Sequence, residues 1–249
     1  MTAYPMPRLV GHRGAAALAP ENTLAGFRAA AEAGVTGVEF DVRLAADGVP
    51  VVIHDATLER TTSGQGPVAA QTSALLGTLD AGAWFGPRFA GEPLPTLEAA
   101  LLLLAGLGLA ANIEIKSEGN GVRPLAAAVV AVVARVWPAG RPPPLLSSFD
   151  PACVAHCRDL APGLPRALLV DRVDRAALAA AGPLDCVAIH ANHRWLNKKL
   201  TMMVKNGGWR CGAYTVDDPR RARRLFDWGV DSVITNAPNR LKAALCAAR

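Results

Sequence analysis

Short apolar runs recur along the chain, separated by longer stretches in which apolar residues return every three or four positions. The runs fall at 8–12, 37–43, 111–116, 144–148, 165–170, 185–190, 210–216 and 231–235. Their length and composition predict strands. Helical periodicity lies between them, near 22–33, 96–107, 122–137, 151–161, 174–181, 195–206 and 218–228, with a last helix near 239–248. Strand and helix in alternation imply a parallel sheet. Eight of each predict a closed α/β fold, the TIM (β/α)8 barrel. An open doubly wound sheet is the alternative, but no G-x-G-x-x-G follows the first strand. Helix starts are marked by Asp150-Pro151, by Asp218-Pro219 and by Asn236 or Asn239 as N-caps. Gly34, Gly182, Gly207 and Gly229 mark helix ends.

One region interrupts the alternation. After the second strand, Asp47-Gly48 signals a hairpin, and "VVIH" at 51–54 reads as a short strand returning beside it. From about 55 to 95 the chain is rich in Gly, Thr, Ser and Pro and carries Trp84, Phe85 and Phe89. That is too long for a connecting loop. It predicts an insertion over one end of the barrel, without a core of its own, in a single domain spanning 1–249.

Polar residues gather where these strands end. The first ends in His12-Arg13; the second carries Glu39 and Asp41, whose i, i+2 spacing puts both on one face. The third carries Glu114 and Lys116, and the returning hairpin strand ends in His54-Asp55. Later strands end in Ser147-Ser148, His190, Thr215-Val216-Asp217 and Thr235-Asn236, so His190 is expected to line the mouth. In a TIM barrel the carboxyl ends of the strands carry the active site. Glu39, Asp41 and Glu114 at one mouth suit a hard divalent cation, Mg²⁺ or Ca²⁺; salt bridges to Arg13, Arg43 or Lys116 are the alternative. Two imidazoles of ordinary pKa ~6.5 can serve as base and acid near neutrality. Arg13 and Lys116 beside them suit a phosphate. Together the groups suggest phosphoryl chemistry on an ester.

Composition narrows the class. Apolar residues make up 51% of 249, enough for a large core, and the net charge of +5 suits an anionic substrate. The densest basic group, Arg220, Arg221, Arg223 and Arg224, lies on one predicted helix and reads as a solvated face, so no nucleic-acid partner is expected. Five cysteines without a C-x-x-C pair point to free thiols in a reducing compartment, with Cys153 and Cys157 in the core. The N-terminus shows no apolar leader, and the most apolar window, 99–111, is too short to span a bilayer. A cytoplasmic protein acting on a small molecule, away from membranes, is expected.

"GHRG" at 11–14, "APENTLAGF" at 19–27, the segment 39–66 beginning "EFDVR" and ending "TTSGQG", "NIEIK" at 112–116 and "GVDSVITNAP" at 229–238 resemble the glycerophosphodiester phosphodiesterases. Stretches at 80–85, 91–97, 143–149, 189–197 and 214–219 are similar to those of cytoplasmic bacterial members associated with glycerol-3-phosphate uptake. The resemblance implies a TIM barrel with an insertion after the second strand. It implies metal-dependent hydrolysis of a glycerophosphodiester to sn-glycerol 3-phosphate and an alcohol. By motif match, His12 and His54 take the acid–base roles and Glu39, Asp41 and Glu114 the cation. Arg13 and Lys116 take the phosphate or glycerol, Glu21 and Asn22 brace the site and start the first helix, and Trp84 and Phe85 wall the substrate pocket. Many members have Asn where this chain has Asp217, which is read here as a cap for the next helix. A phosphoinositide-cleaving or phospholipase D-like barrel shares the two-histidine logic. A phosphate-binding barrel without catalysis would have lost one of these groups.

Overall fold

The computed structural model describes residues 4–116 and 121–246. In chain order the elements are β1 (Leu9–His12), α1 (Leu24–Glu32), β2 (Gly37–Leu44), β3 (Pro50–Val52), α2 (Ser73–Leu76), α3 (Leu97–Gly106), β4 (Ala110–Ile115), α4 (Val122–Val136), β5 (Leu145–Ser148), α5 (Pro151–Leu160), β6 (Arg166–Val170), α6 (Arg175–Ala181), β7 (Ala188–Asn192), α7 (Lys198–Asn206), β8 (Arg210–Tyr214), α8 (Pro219–Asp227), β9 (Ser232–Thr235) and α9 (Pro238–Cys246). The last two residues of the final predicted helix lie outside the described residues. β1 pairs in parallel with both β2 and β9, which closes a ring of eight parallel strands. β3 stands outside that ring, antiparallel to β2. The fold is a TIM barrel.

Strand alternation sorts the side chains. Val38, Phe40 and Val42 of β2 and Ile113 and Ile115 of β4 pack outward against Leu97, Leu101 and Leu104 of α3 and Val129 of α4. Phe27 of α1 meets Phe40 with ring centroids 5.2 Å apart. A second cluster covers the other half, with Ile189 and Ala213 under Val204, Leu225 and Leu241. Burying one such Leu stabilises by ~1.5–3 kcal/mol, so the helical jacket holds the strands in register. Cys153 and Cys157 sit in the first cluster, and all five cysteines are free thiols.

Helix starts follow local chemistry, with corrections. Asp150 accepts from Ala152 N ahead of Pro151, and Asp218 from Arg220 N ahead of Pro219. α9 begins at Pro238, so Asn236 and Asn239 do not occupy the capping position. α1 is capped by Thr23, which accepts from Gly26 N at 3.0 Å, and not by Glu21 or Asn22. β7 begins three residues later than its apolar run. The left-handed Asp185 (φ +50°) makes the start of that run part of the preceding turn. His190 is therefore mid-strand and 1% exposed, inside the barrel.

The hairpin turns where Asp47-Gly48 lies, with Gly48 at φ +79°. The insertion beyond it is better built than its composition suggests. Ile53, Leu58, Val68, Leu76 and Leu94 form a small apolar cluster of their own, where none was expected.

At the turn between α8 and β9, Asp231 accepts from Lys205 Nζ (2.6 and 2.7 Å), Arg210 Nη1 (2.8 Å) and Cys211 N (2.8 Å). Burial alone would raise its pKa, but these donors outweigh it and hold the carboxyl below its ordinary range. A depressed acid stabilises the fold above the unfolded value of ~3.9 and ceases to do so as pH falls through the folded value. Asp231→Asn should therefore cost ~1–3 kcal/mol at pH 7. In urea unfolding, the gap to wild type should shrink below pH ~4; a gap that widens there would contradict this assignment.

Candidate active site

Sheet register brings the charged side chains together. His12 is the lateral neighbour of Glu39 across β1 and β2, and Asp41 of Glu114 across β2 and β4. All three carboxyls are buried, each offering an oxygen within 4.8 Å of the others. Glu39 Oε1 is buried and has no hydrogen-bond partner among the described residues. The second carboxylate oxygen, Oε2, accepts from Arg13 N at 3.3 Å. Lys116 Nζ stands 2.9 Å from Asp41 Oδ1 and pairs with Glu114 Oε1. Arg13 Nε stands 3.2 Å from Asp41 Oδ2.

The carboxyls divide by environment. Burial first, then repulsion from Asp41 and Glu114, raises Glu39 well above its ordinary value. Burial and then Asp41 raise Glu114. Burial would raise Asp41 too, but Lys116 and Arg13 outweigh it and hold it at about 2. Asn22 donates to Asp41 Oδ2 at 2.8 Å, and Asp41 N donates back to Asn22 Oδ1. An all-oxygen acidic group with an orphaned oxygen fits Mg²⁺ or Ca²⁺ chemically.

The "GHRG" turn has a steric origin. A side chain on Gly11 would meet Gly14 O at 2.0 Å, and one on Gly14 (φ +92°) would meet Gly26 C at 2.6 Å. Arg13 between them is itself left-handed (φ +51°), a conformation that a non-glycine residue adopts at a cost. The turn aims Arg13 at Asp41 and at Glu21, whose Oε1 accepts from Arg13 Nη1 at 2.7 Å.

Two imidazoles flank this group. His12 Nδ1 lies 2.6 Å from Asn236 Oδ1, and Nε2 lies 3.8 Å from Glu39 Oε2. His54 Nδ1 lies 2.6 Å from Asp55 Oδ1. Arg60 clamps Asp55 and reaches Glu21, at 2.5–3.0 Å. Burial lowers both histidines; Arg13 lowers His12 further, while Asp41 and Asp55 oppose the shift at His54.

A cavity of about 220 Å³ opens here, lined by His12, Arg13, Glu39, His54, Glu114 and Lys116 together with Phe149, Leu169, Tyr214, Thr215 and Ile234. Trp84 and Phe85 are not among its lining residues. They stack edge to face within the insertion, with Phe89 beyond (5.6 and 5.5 Å). The apolar wall comes instead from Leu169 and from Phe149, which stands edge-on to Tyr214 at 5.9 Å. His190 lines a different, smaller cavity inside the barrel with Tyr4 and Met6, and burial holds its pKa at about 4. Asp217 does not cap α8; it binds Thr235 and Asn236. From sequence, Asp55 and Asn236 were read only as polar strand ends, Asn236 also as a helix cap, and Arg60 had no role; none was tied to a histidine.

The mouth of this parallel barrel gathers buried carboxyls, two imidazoles, Arg and Lys, groups suited to binding and cleaving a phosphoric ester. A family model described as the glycerophosphoryl diester phosphodiesterase family matches residues 12–240. The glycerophosphodiester phosphodiesterase of Caldanaerobacter subterraneus subsp. tengcongensis is 34% identical over 234 residues, covering 94% of this chain and 95% of that one. A phosphodiesterase of Oleispira antarctica, solved in complex with the product sn-glycerol-3-phosphate, superposes with a TM-score of 0.94 at 33% identity over 97% of both chains. A glycerophosphodiester phosphodiesterase of Agrobacterium tumefaciens gives 0.81 at 31% identity, over 96% of this chain and all of that one. The chain belongs to the glycerophosphoryl diester phosphodiesterase family.

A carboxyl whose pKa is raised by folding costs stability as pH rises above its unfolded value. Glu39→Gln should therefore melt higher than wild type in chelator. That gain should grow as pH climbs from ~4.3, at ~2–4 °C for each kcal/mol relieved. Added Mg²⁺ or Ca²⁺ should raise the melting temperature of wild type and not of the variant. Equal cation stabilisation of both would remove Glu39 from the ligand set.

Proposed function

We propose that this chain hydrolyses small glycerophosphodiesters to sn-glycerol 3-phosphate and an alcohol, with Mg²⁺ or Ca²⁺ held by Glu39, Asp41 and Glu114. The observation that carries this reading is the convergence of His12 and His54 on the cavity lined by Glu39 and Glu114, beside Arg13 and Lys116. The likeness to a structure holding sn-glycerol-3-phosphate supports the product. The cation, when bound, polarises the phosphoryl oxygens and neutralises charge that develops on them.

The protein's own groups do the rest. Arg13 and Lys116 draw the diester anion into the cavity, and Phe149, Leu169 and Tyr214 exclude water from one wall. One histidine takes the proton of the attacking oxygen, either water or the glycerol 2-hydroxyl; in the second case the cyclic 2,3-phosphate that forms is then opened by water to the same product. The other protonates the departing alkoxide, a poor leaving group near neutrality. Glu21 and Asn22 hold Arg13 and Asp41 in place. No helix among the described residues is long and apolar enough to cross a membrane. A soluble substrate and a reducing cytoplasm suit that finding and the free thiols.

His12→Ala and His54→Ala should each lower the rate on glycerophosphocholine by ~10²–10⁴-fold. Because the two act in one step, the double variant should be barely worse than either alone. On a p-nitrophenyl diester, whose leaving group needs little protonation, the variant lacking the acid should be much less impaired. Near wild-type turnover in both single variants would overturn the mechanism.

A further inference from the structure

His12 is held by hydrogen bonds that run back through two strand ends. Gly11 is the neighbour of Thr235 across β1 and β9, so the next residue of each strand, His12 and Asn236, meet at the mouth. Asn236 donates from Nδ2 to Asp217 Oδ2 and from its backbone N to Asp217 Oδ1, both at 2.8 Å. Thr235 Oγ1 donates to the same Oδ1 at 2.9 Å. Both Asp217 oxygens therefore act as acceptors.

A side-chain amide has one donor end and one acceptor end. Asp217 claims the donor end of Asn236, which turns the acceptor end towards His12. An imidazole nitrogen facing a carbonyl oxygen must carry the hydrogen. Neutral His12 is then the Nδ1–H tautomer, and its Nε2 lone pair is bare on the side of Glu39. We infer that Asp217, which does not line the cavity, is a positioning residue: it fixes the orientation of the Asn236 amide and, through it, the tautomer of His12. The consequence for catalysis rests on the proposed role of His12 in proton transfer; the tautomer itself does not.

His54 needs no such relay. Its Nδ1 meets the Asp55 carboxyl directly, and Arg60 holds that carboxyl from the other side. A carboxylate has two equivalent oxygens and only accepts, so rotating it changes nothing. An amide can turn over and reverse its polarity. That difference explains why His12, paired with an amide, requires a second residue behind its partner.

Asp217→Asn puts an NH₂ group where an acceptor is needed. Asn236 then turns over, presents Nδ2 to His12 Nδ1, and forces the Nε2–H tautomer, which has no lone pair free at the mouth. The expected result is a fall in kcat of ~10–100-fold, the usual cost of losing an outer-shell partner, with KM nearly unchanged. Combining Asp217→Asn with Asn236→Asp restores the direction of the chain: the new carboxyl accepts from both His12 and the new amide. That double variant should recover most of the lost rate at unchanged formal charge.

The independent readout is ¹⁵N NMR of the histidine rings in metal-free protein above the titration of His12. Wild type and the double variant should show protonated Nδ1 at His12, and Asp217→Asn protonated Nε2. Should Asp217→Asn fail to fold, the double variant and wild type still report the tautomer. Protonated Nε2 at His12 in wild type, an unchanged ring signal and kcat in Asp217→Asn, or an inactive but folded double variant would each overturn the inference. An active His12→Ala enzyme would instead overturn the catalytic reading and leave the tautomer result standing.

Discussion

Glu39, Asp41 and Glu114 are packed into one buried group, and each carries an oxygen within 4.8 Å of the others. Two like charges 4 Å apart repel by ~4 kcal/mol even at an effective dielectric of 20. No hydrophobic packing relieves that. The surroundings are arranged around it: Lys116 and Arg13 neutralise Asp41, Asn22 grips it from the helix side, and Glu39 keeps an unpartnered oxygen. The remaining excess of negative charge favours a hard cation. Mutual repulsion among these carboxyls and their capacity to hold a cation are two sides of one arrangement, as expected where function is set against stability.

The barrel contributes register. Because β1, β2 and β4 are neighbours in the ring, His12, Glu39, Asp41 and Glu114 are placed by backbone pairing and not by flexible loops. The left-handed Arg13 is the local strain that this placement requires, tolerated because Gly11 and Gly14 leave room for the turn. The insertion then adds His54 from outside the ring, on a hairpin stiffened by its own apolar cluster. The two imidazoles thus come from structurally independent parts of the chain and have unlike supports, an amide behind His12 and an ion-paired carboxyl behind His54.

The parts of the site that follow from period-two alternation were legible in the sequence. Glu39 with Asp41, and Glu114 with Lys116, point inward because their apolar neighbours point outward. His190 was misplaced by a boundary: its apolar run starts inside a turn, which no periodicity reveals. Trp84 and Phe85 were expected at the cavity by motif match, yet their rings stack on one another within the insertion. Asp217 sits directly before a true N-cap, so its local context favoured the wrong explanation. Its partners Thr235 and Asn236 lie on the next strand of the ring, and only the fold brings them near. Arg60 is hidden for a similar reason: Asp55 lies close to it in sequence, but its other carboxyl partner, Glu21, is brought near only by the fold.

The reaction proposed for this mouth is cleavage of a glycerophosphodiester on the alcohol side with the help of a cation. The direct measurement is ³¹P NMR of glycerophosphocholine incubated with protein stripped by chelator and then resupplied with Mg²⁺ or Ca²⁺. The account predicts no conversion by the stripped protein, and growth of the sn-glycerol 3-phosphate resonance once cation returns. Full conversion by the stripped protein, or phosphocholine as the phosphorus product, would contradict it.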